Sequence, residues 1–267
     1  MTQAPTDGKL LAVDVGNTQT HFGVFSASGD VVEEHWRFAT VRESTQDELG
    51  AALSNLLALR GMGFAEIGSS IISATVPQLI DEWTAMAQRY LGQEMLVVGP
   101  NIRTGMPIRI DNPREVGADR LVNAVAAYER YQSTCVVVDF GTAITYDAVS
   151  AAGEYLGGII TPGAEISLDA LYERAAKLPK VEMAEPRALI GKSTVDAVRS
   201  GIAFGFASQV EGIVRRLRDE LGDQTAVIAT GGLASTLVPF IRETIDEVDE
   251  LLTLVGLRLI WERNQPR

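Results

Sequence analysis

Apolar residues along this chain come in short runs of strand length that end in polar turns. Leu10 to Val13 is an unbroken apolar run that delivers Asp14, Val15 and Gly16 into a polar bend, and Thr20 to Phe25 returns from it as a second, half-apolar run. A Ser28-Gly29-Asp30 turn and Val31-Val32 follow, so the opening pattern predicts strand, tight turn, strand, tight turn, strand. Ser44-Thr45-Gln46-Asp47 reads as a capped helix start, and Leu49, Ala52, Leu53, Leu56 and Leu57 then form a stripe at helical spacing. Residues 70–74 predict a buried strand, 75–91 a helix with Pro77 in its first turn, and 95–98 another strand ending at Gly99-Pro100. This alternation predicts an α/β layer with crossover helices.

The pattern then starts again. Residues 104–112 alternate apolar and polar positions, Asn112-Pro113 breaks the chain, and a helical pattern runs from about residue 116 to residue 131. Val136 to Val138 next deliver Asp139, Phe140 and Gly141 into a small-residue bend, Ile144 to Val149 return, and Ala152-Gly153-Glu154 leads into Tyr155-Leu156. The two aspartates lie 125 positions apart (139 minus 14). A repeat far longer than a solenoid period implies a duplicated domain with a cleft between the copies. The sequence is accordingly divided into a disordered tail (1–8), one domain (9–113) and a second (114–267). Punctuation at Gly157-Gly158 and Pro162-Gly163, helices at 164–178 and 194–221, a strand at 226–229 running into Thr230-Gly231-Gly232, and further helix to the C-terminus complete the expectation.

Composition narrows the classes. At 267 residues and 46% hydrophobic the chain can bury two modest cores. A net charge of −12 repels nucleic acid and anionic membrane surfaces, so neither is an expected partner. Any phosphate ligand must be held by local amides, cations and a few basic residues. The single cysteine, Cys135, heads an apolar strand, which excludes a disulfide framework and points to a reducing, cytoplasmic setting. Residues 1–8 lack an apolar h-region, and no window reaches the roughly 18 apolar residues of a membrane span.

The candidate chemistry lies in the two bends. Each exposes backbone N–H groups able to hold phosphate oxygens and sets a carboxylate, Asp14 or Asp139, beside them for a cation. A single Asp-x-Gly would read as an ordinary hairpin turn; two in matching contexts read as a pair that grips a triphosphate. A third window, Asp111-Asn112-Pro113-Arg114-Glu115-Val116-Gly117-Ala118-Asp119-Arg120, stands just before a helix. Charge complementarity to the helix dipole is one account of it. The other is that Asp119 accepts a hydroxyl proton while Arg120 clamps an anionic group on an acceptor substrate. Asp139-Phe140-Gly141 and Gly191-Lys192-Ser193-Thr194 imitate protein-kinase and Walker motifs but lack their companions. His21 and His35 lack metal-ligand spacing and read as structural. Gly231-Gly232 permits either the close approach of a flat ring or a helix-start turn.

Four segments together, Asp14-Val15-Gly16-Asn17-Thr18, the 111–120 window with Val122-Asn123-Ala124, Asp139-Phe140-Gly141-Thr142-Ala143, and Gly157-Gly158-Ile159-Ile160-Thr161-Pro162-Gly163, resemble the type III pantothenate kinase family over nearly the whole chain from Leu10 to Asn264. The resemblance implies two duplicated ribonuclease-H-like domains of the actin-like ATPase superfamily. It implies transfer of the γ-phosphoryl group of ATP to the primary alcohol of pantothenate, the first step of coenzyme A biosynthesis. It also implies roles: Asp119 as proton acceptor; Gly117, Ala118, Arg120 and Thr194 at pantothenate; Asp14, Val15, Gly16, Asn17, Thr18, Gln19, Thr20, His21 and Thr142 at ATP. Asp14 would lie near Mg2+ and Asp139 would hold K+ or NH4+, in a homodimer. The chain departs from the family pattern at Ile144, where a threonine is usual, and at Ile110, where many members carry a tyrosine. Two other readings are a related kinase acting on another small alcohol or carboxylate, which the Gly117 to Arg120 block opposes, and a nucleotide-binding regulator without transfer, which the presence of Asp14 and Asp119 opposes.

Overall fold

The computed structural model describes residues 8–29 and 31–265, so the expected tail lies outside the described residues apart from Gly8, as does Asp30 of the first hairpin turn. Two five-stranded sheets carry the fold. In the first, β1 (Lys9–Val15), β2 (Gln19–Phe25) and β3 (Val32–Ala39) form an antiparallel meander, and β4 (Ile67–Ala74) and β5 (Leu96–Val97) add in parallel on the other side of β1. In the second, β6 (Cys135–Phe140), β7 (Ala143–Val149) and β8 (Tyr155–Pro162) form the meander, with β9 (Ala226–Thr230) and β10 (Glu247–Val248) parallel beyond β6. The strand orders β3-β2-β1-β4-β5 and β8-β7-β6-β9-β10 are the same order. The repeat seen in the sequence is therefore a repeat of topology.

Parallel neighbours need crossover helices, and the chain supplies them. Helices α1 (Gln46–Ala58) and α2 (Pro77–Met86) flank β4, α3 (Ala118–Tyr131) precedes β6, α4 (Ala164–Arg174) and α5 (Thr194–Leu221) join β8 to β9, α6 (Ala234–Leu237) follows β9, and α7 (Leu252–Arg263) closes the chain. The capping box read from sequence is present: Thr45 accepts from the Glu48 amide and Glu48 reaches back to the Thr45 amide. Ser193, in the Walker-like run, is the cap of α5 and accepts from the Asp196 amide at 3.1 Å. Helix α2 is shorter than expected because its last turn widens into a π-helical turn, Ala87–Leu91, that ends at left-handed Gly92. Helix α4 stops at Arg174, four residues early, and Glu247–Val248 form a strand that the sequence pattern did not show. Of the alternating stretch 104–112, Ile108 makes a parallel bridge to Tyr155.

Contacts group the chain into two compact units, residues 1–105, 114–126 and 253–267 in one, and 106–113 and 127–252 in the other. In the first, Leu11, Val13, Val15, Phe22 and Val24 pack against Leu49, Leu53 and Leu57 of α1 and Leu79, Trp83 and Met86 of α2. In the second, Val136, Val138, Phe140, Ile144 and Tyr146 pack against Val210 and Val214 of α5. Ile144 is thus a core residue, so the departure from threonine adds apolar volume below the bend. Cys135 is fully buried, and burial pushes its thiol up to about 12. Arg130 at the end of α3 binds Glu247 at 2.7 Å and also Asp249, tying that helix to β10.

On the remaining face of the first sheet, α7 lies against Gly23, and Gly256 of α7 sits on the backbone carbonyl of Val122 in α3. A side chain at 256 would overlap that carbonyl, which cannot turn aside within a helix. Gly256→Ala is expected to destabilise the protein by about 2 kcal/mol, as overpacking against backbone does. Thermal or denaturant unfolding measures it, and an unchanged midpoint refutes the contact.

Candidate active site

Strand register brings the first set of candidate residues together. Asp14 is paired with His21 across β1 and β2 and with Ser73 across β1 and β4, so all three side chains rise on one face of the sheet, opposite the core formed by Val13 and Val15. The Ser73 hydroxyl donates to Asp14 Oδ1 at 2.5 Å. Between the two strands the bend is closed by Gly16 N–H to the Gln19 carbonyl at 3.0 Å, and Asn17, Thr18 and Gln19 are exposed. Thr20 is buried and shares a hydrogen bond of 2.9 Å with Thr40. His21 and His35, unrelated in sequence terms, meet at 3.3 Å. Burial, the Arg37 charge and His35 depress the His21 imidazole to about 3, so it is neutral at physiological pH.

Asp119 belongs to the same unit. It stands in the first turn of α3, and its Oδ1 accepts the Arg120 amide at 2.9 Å. Gly117 makes room for this: a Cβ there would come within 2.5 Å of Asp119 Oδ1. Burial raises the Asp119 carboxyl, partly offset by the Arg120 amide and charge. Burial, then repulsion from Asp119, raise Asp14 to about 7, against the lowering effect of Ser73. A buried carboxylate with a second one near enough to raise it further makes a site short of positive charge.

In the second unit the β6–β7 bend is closed by Gly141 N–H to the Ala143 carbonyl at 3.1 Å, leaving Thr142 exposed. Two glycine turns press on it. Gly163 donates to the Thr142 carbonyl at 3.0 Å and leaves no space there for a Cβ, and Gly231, at φ +95°, abuts Asp139 Oδ1 and the Phe140 backbone. The Gly231 turn leads into α6, the Ala234 N–H bonding back to its carbonyl at 3.2 Å. Thr194 is the exposed first residue of α5. Ile110 packs beside Gly157.

Among the described residues, no three His, Cys, Asp or Glu side chains cluster as a self-sufficient metal cage. A carboxylate beside such a bend would suit Mg2+ nonetheless, because that ion keeps waters and takes its other oxygens from substrate phosphates. The electrostatic deficit at Asp14 is what such an ion would relieve. Asp139, with the bend carbonyls near it, offers hard oxygen donors of the kind a monovalent cation takes. Ser73 was missed by the sequence reading; the only signal was a hydroxyl residue within an apolar strand.

A family model described as type III pantothenate kinase matches residues 10–216. Named type III pantothenate kinases resemble the chain throughout: that of Moorella thermoacetica is 51% identical over 96% of this chain and 99% of its own, and that of Streptomyces griseus 49% over 97% and 99%. Among solved structures, the ethanolamine utilization protein EutJ of Carboxydothermus hydrogenoformans superposes with a TM-score of 0.57 at 14% identity, covering 97% of this chain and 92% of its own. The Lmo2764 protein of Listeria monocytogenes gives 0.53 at 13%, covering 96% and 100%. These two likenesses speak to fold alone. The fold is a duplicated ribonuclease-H-like pair.

The raised Asp14 carboxyl has a consequence for the ligand-free protein. Its folded value exceeds the ordinary aspartate value of 3.8, so folding favours the protonated form, and stability falls as pH rises from 3.8 toward about 7. Asp14→Asn removes this loss and still accepts from Ser73. The variant is expected to be about 2 kcal/mol more stable than the parent at about pH 8 and little different at about pH 4. Unfolding at both pH values checks it; a less stable variant at the higher pH would contradict the repulsion.

Proposed function

The chain belongs to the type III pantothenate kinase family, and we propose that its two aspartate-bearing bends hold the triphosphate of ATP while Asp119 accepts the hydroxyl proton of pantothenate. The activity is ATP-dependent phosphorylation of the primary hydroxyl of pantothenate to 4'-phosphopantothenate, in coenzyme A biosynthesis. The observation that carries the proposed roles is the Asp14 and Asp119 pair: a carboxylate on a phosphate bend in electrostatic contact with one at a helix start.

In the reaction the pantothenate oxygen attacks the γ-phosphorus in line, ADP leaves, and the proton passes to Asp119. A carboxylate whose proton affinity is raised by burial is a better acceptor than one in water, provided that it is ionised when substrate binds. Gly117 keeps that carboxylate folded back on the Arg120 amide; Gly117, Ala118, Arg120 and Thr194 bind pantothenate, Arg120 taking its carboxylate. The amides and side chains of 15–21, with Thr142 from the second bend, hold the phosphates. The duplicated halves, 9–113 and 114–267, supply one bend each. Mg2+ at Asp14 and K+ or NH4+ at Asp139, when bound, neutralise phosphate charge. Positioning and charge account for most of phosphoryl transfer, and this inventory of parts answers to both.

We read the working enzyme as a cytoplasmic homodimer that needs neither nucleic acid nor membrane. The buried lone thiol and the acidic charge support that reading. No helix among the described residues is long and apolar enough to cross a membrane.

Asp119→Asn is expected to keep the fold and ATP binding and to lower turnover by roughly 100-fold or more. Near-parental turnover removes Asp119 from the role. Replacing potassium by sodium is expected to weaken ATP use, read as a rise in the KM for ATP, and that rise is expected to vanish in Asp139→Asn. Equal kinetics in the two salts would falsify the assignment of Asp139.

A further inference from the structure

We infer that Ser73 is a positioning residue for phosphoryl transfer: its hydroxyl fixes the carboxylate of Asp14 in the orientation that receives a divalent cation. The inference rests on the reading of Asp14 as the magnesium-side carboxylate and adds the residue that aims it.

Just before Ser73, strand β4 is apolar, with Ile71 and Ile72 beside Ala12 and Val13 of β1. Ile71 and Ile72 are fully buried, and so is Ser73. A hydroxyl in such a place costs free energy unless it is hydrogen-bonded. Its partner is Asp14 Oδ1 at 2.5 Å, at the short end of the range for a hydroxyl donating to a carboxylate. The parallel register places Ser73 directly beside Asp14, on neighbouring strands about 4.8 Å apart, so two backbones held in one sheet define the contact. Carboxylate rotation about χ2 is a soft, two-fold torsion, and Asp14 sits where the strand opens into a bend. One rigid donor on Oδ1 removes that freedom and settles which oxygen is left for a cation.

The same strand offers a control. Ser70 is as buried, but its hydroxyl has no partner among the described residues and lies on the opposite face, alongside Ile72. A serine kept for the strand's packing alone predicts like behaviour at 70 and 73. A positioning role predicts that they part.

The test uses Mn2+ as probe, by electron paramagnetic resonance titration of the full-length protein with a non-hydrolysable ATP analogue. The half-saturating Mg2+ concentration and the KM for pantothenate are measured beside it. Ser73→Ala is expected to weaken Mn2+ binding and raise half-saturating Mg2+ by roughly 10-fold, the usual scale for losing a residue that orients a metal ligand. The KM for pantothenate stays put, Ser73→Thr restores the metal affinity, and Ser70→Ala leaves it unchanged. Parental Mn2+ affinity in Ser73→Ala overturns the inference, as does a loss that Ser73→Thr does not restore or that Ser70→Ala reproduces. Should Ser73→Ala not fold, Ser73→Cys, which keeps the volume with a weaker donor, carries the same expectation and the same refutation. Asp14→Asn separates the two levels: if it too binds Mn2+ like the parent, the reading of Asp14 has failed; if it loses Mn2+ while Ser73→Ala does not, only the positioning role has.

Discussion

Two negative charges are held where neither is comfortable. Asp14 ends a buried strand and Asp119 begins a helix, and the fold brings them close enough for one to raise the proton affinity of the other. Proteins avoid such an arrangement unless something positive completes it. A carboxyl raised from 3.8 to about 7, by burial first and by Asp119 second, is a cost to folding that the sheet and its core must offset. On the proposed reading, a metal nucleotide binding at Asp14 would return that cost as affinity.

The two sheets show how a duplicated frame diverges under that demand. Both have the same strand order and both deliver an aspartate to the first bend. The partners in register differ: His21 stands opposite Asp14, and Thr145 opposite Asp139. Two residues along, the first sheet has Gly23, whose missing side chain admits Leu254 of α7, whereas the second has Asp147, fully buried and accepting from the Tyr155 hydroxyl at 2.6 Å and the Thr145 hydroxyl at 3.1 Å. One sheet spends that position on packing a helix and the other on a satisfied polar network. The frame is shared because backbone ladders do not care about side chains; the surfaces differ because only side chains meet ligands.

How far this was legible in the sequence follows from the range of each signal. Helix α5 was legible end to end, since Ser193 and Gly222 mark its limits locally, and the two bends were legible because they recur. The strand Glu247–Val248 was not, because two exposed residues carry no periodicity and their pairing with β9 depends on a partner nineteen residues away (247 minus 228). Glycines 157 and 158 looked like a break yet lie inside β8, where a bulge against Ala148 and Val149 absorbs the positive φ of Gly157. The histidines could not be read as neighbours, since strand twist and register set their meeting. Ser73 belongs to the same class: sequence lists a small polar residue in an apolar run, and only the register says that it faces Asp14.

In each unit the candidate residues depend on space as much as on charge. Gly117 leaves room for Asp119 Oδ1, Gly231 for Asp139 Oδ1, and Gly163 for the carbonyl of Thr142. In each case the atom that would be displaced is an oxygen assigned to substrate, cation or bend. A methyl group at any of these positions would leave the donors and acceptors present in the chain but turn one of them away from its place. On the proposed roles, where positioning supplies most of phosphoryl transfer, the absence of three side chains would matter as much as the presence of the three acids.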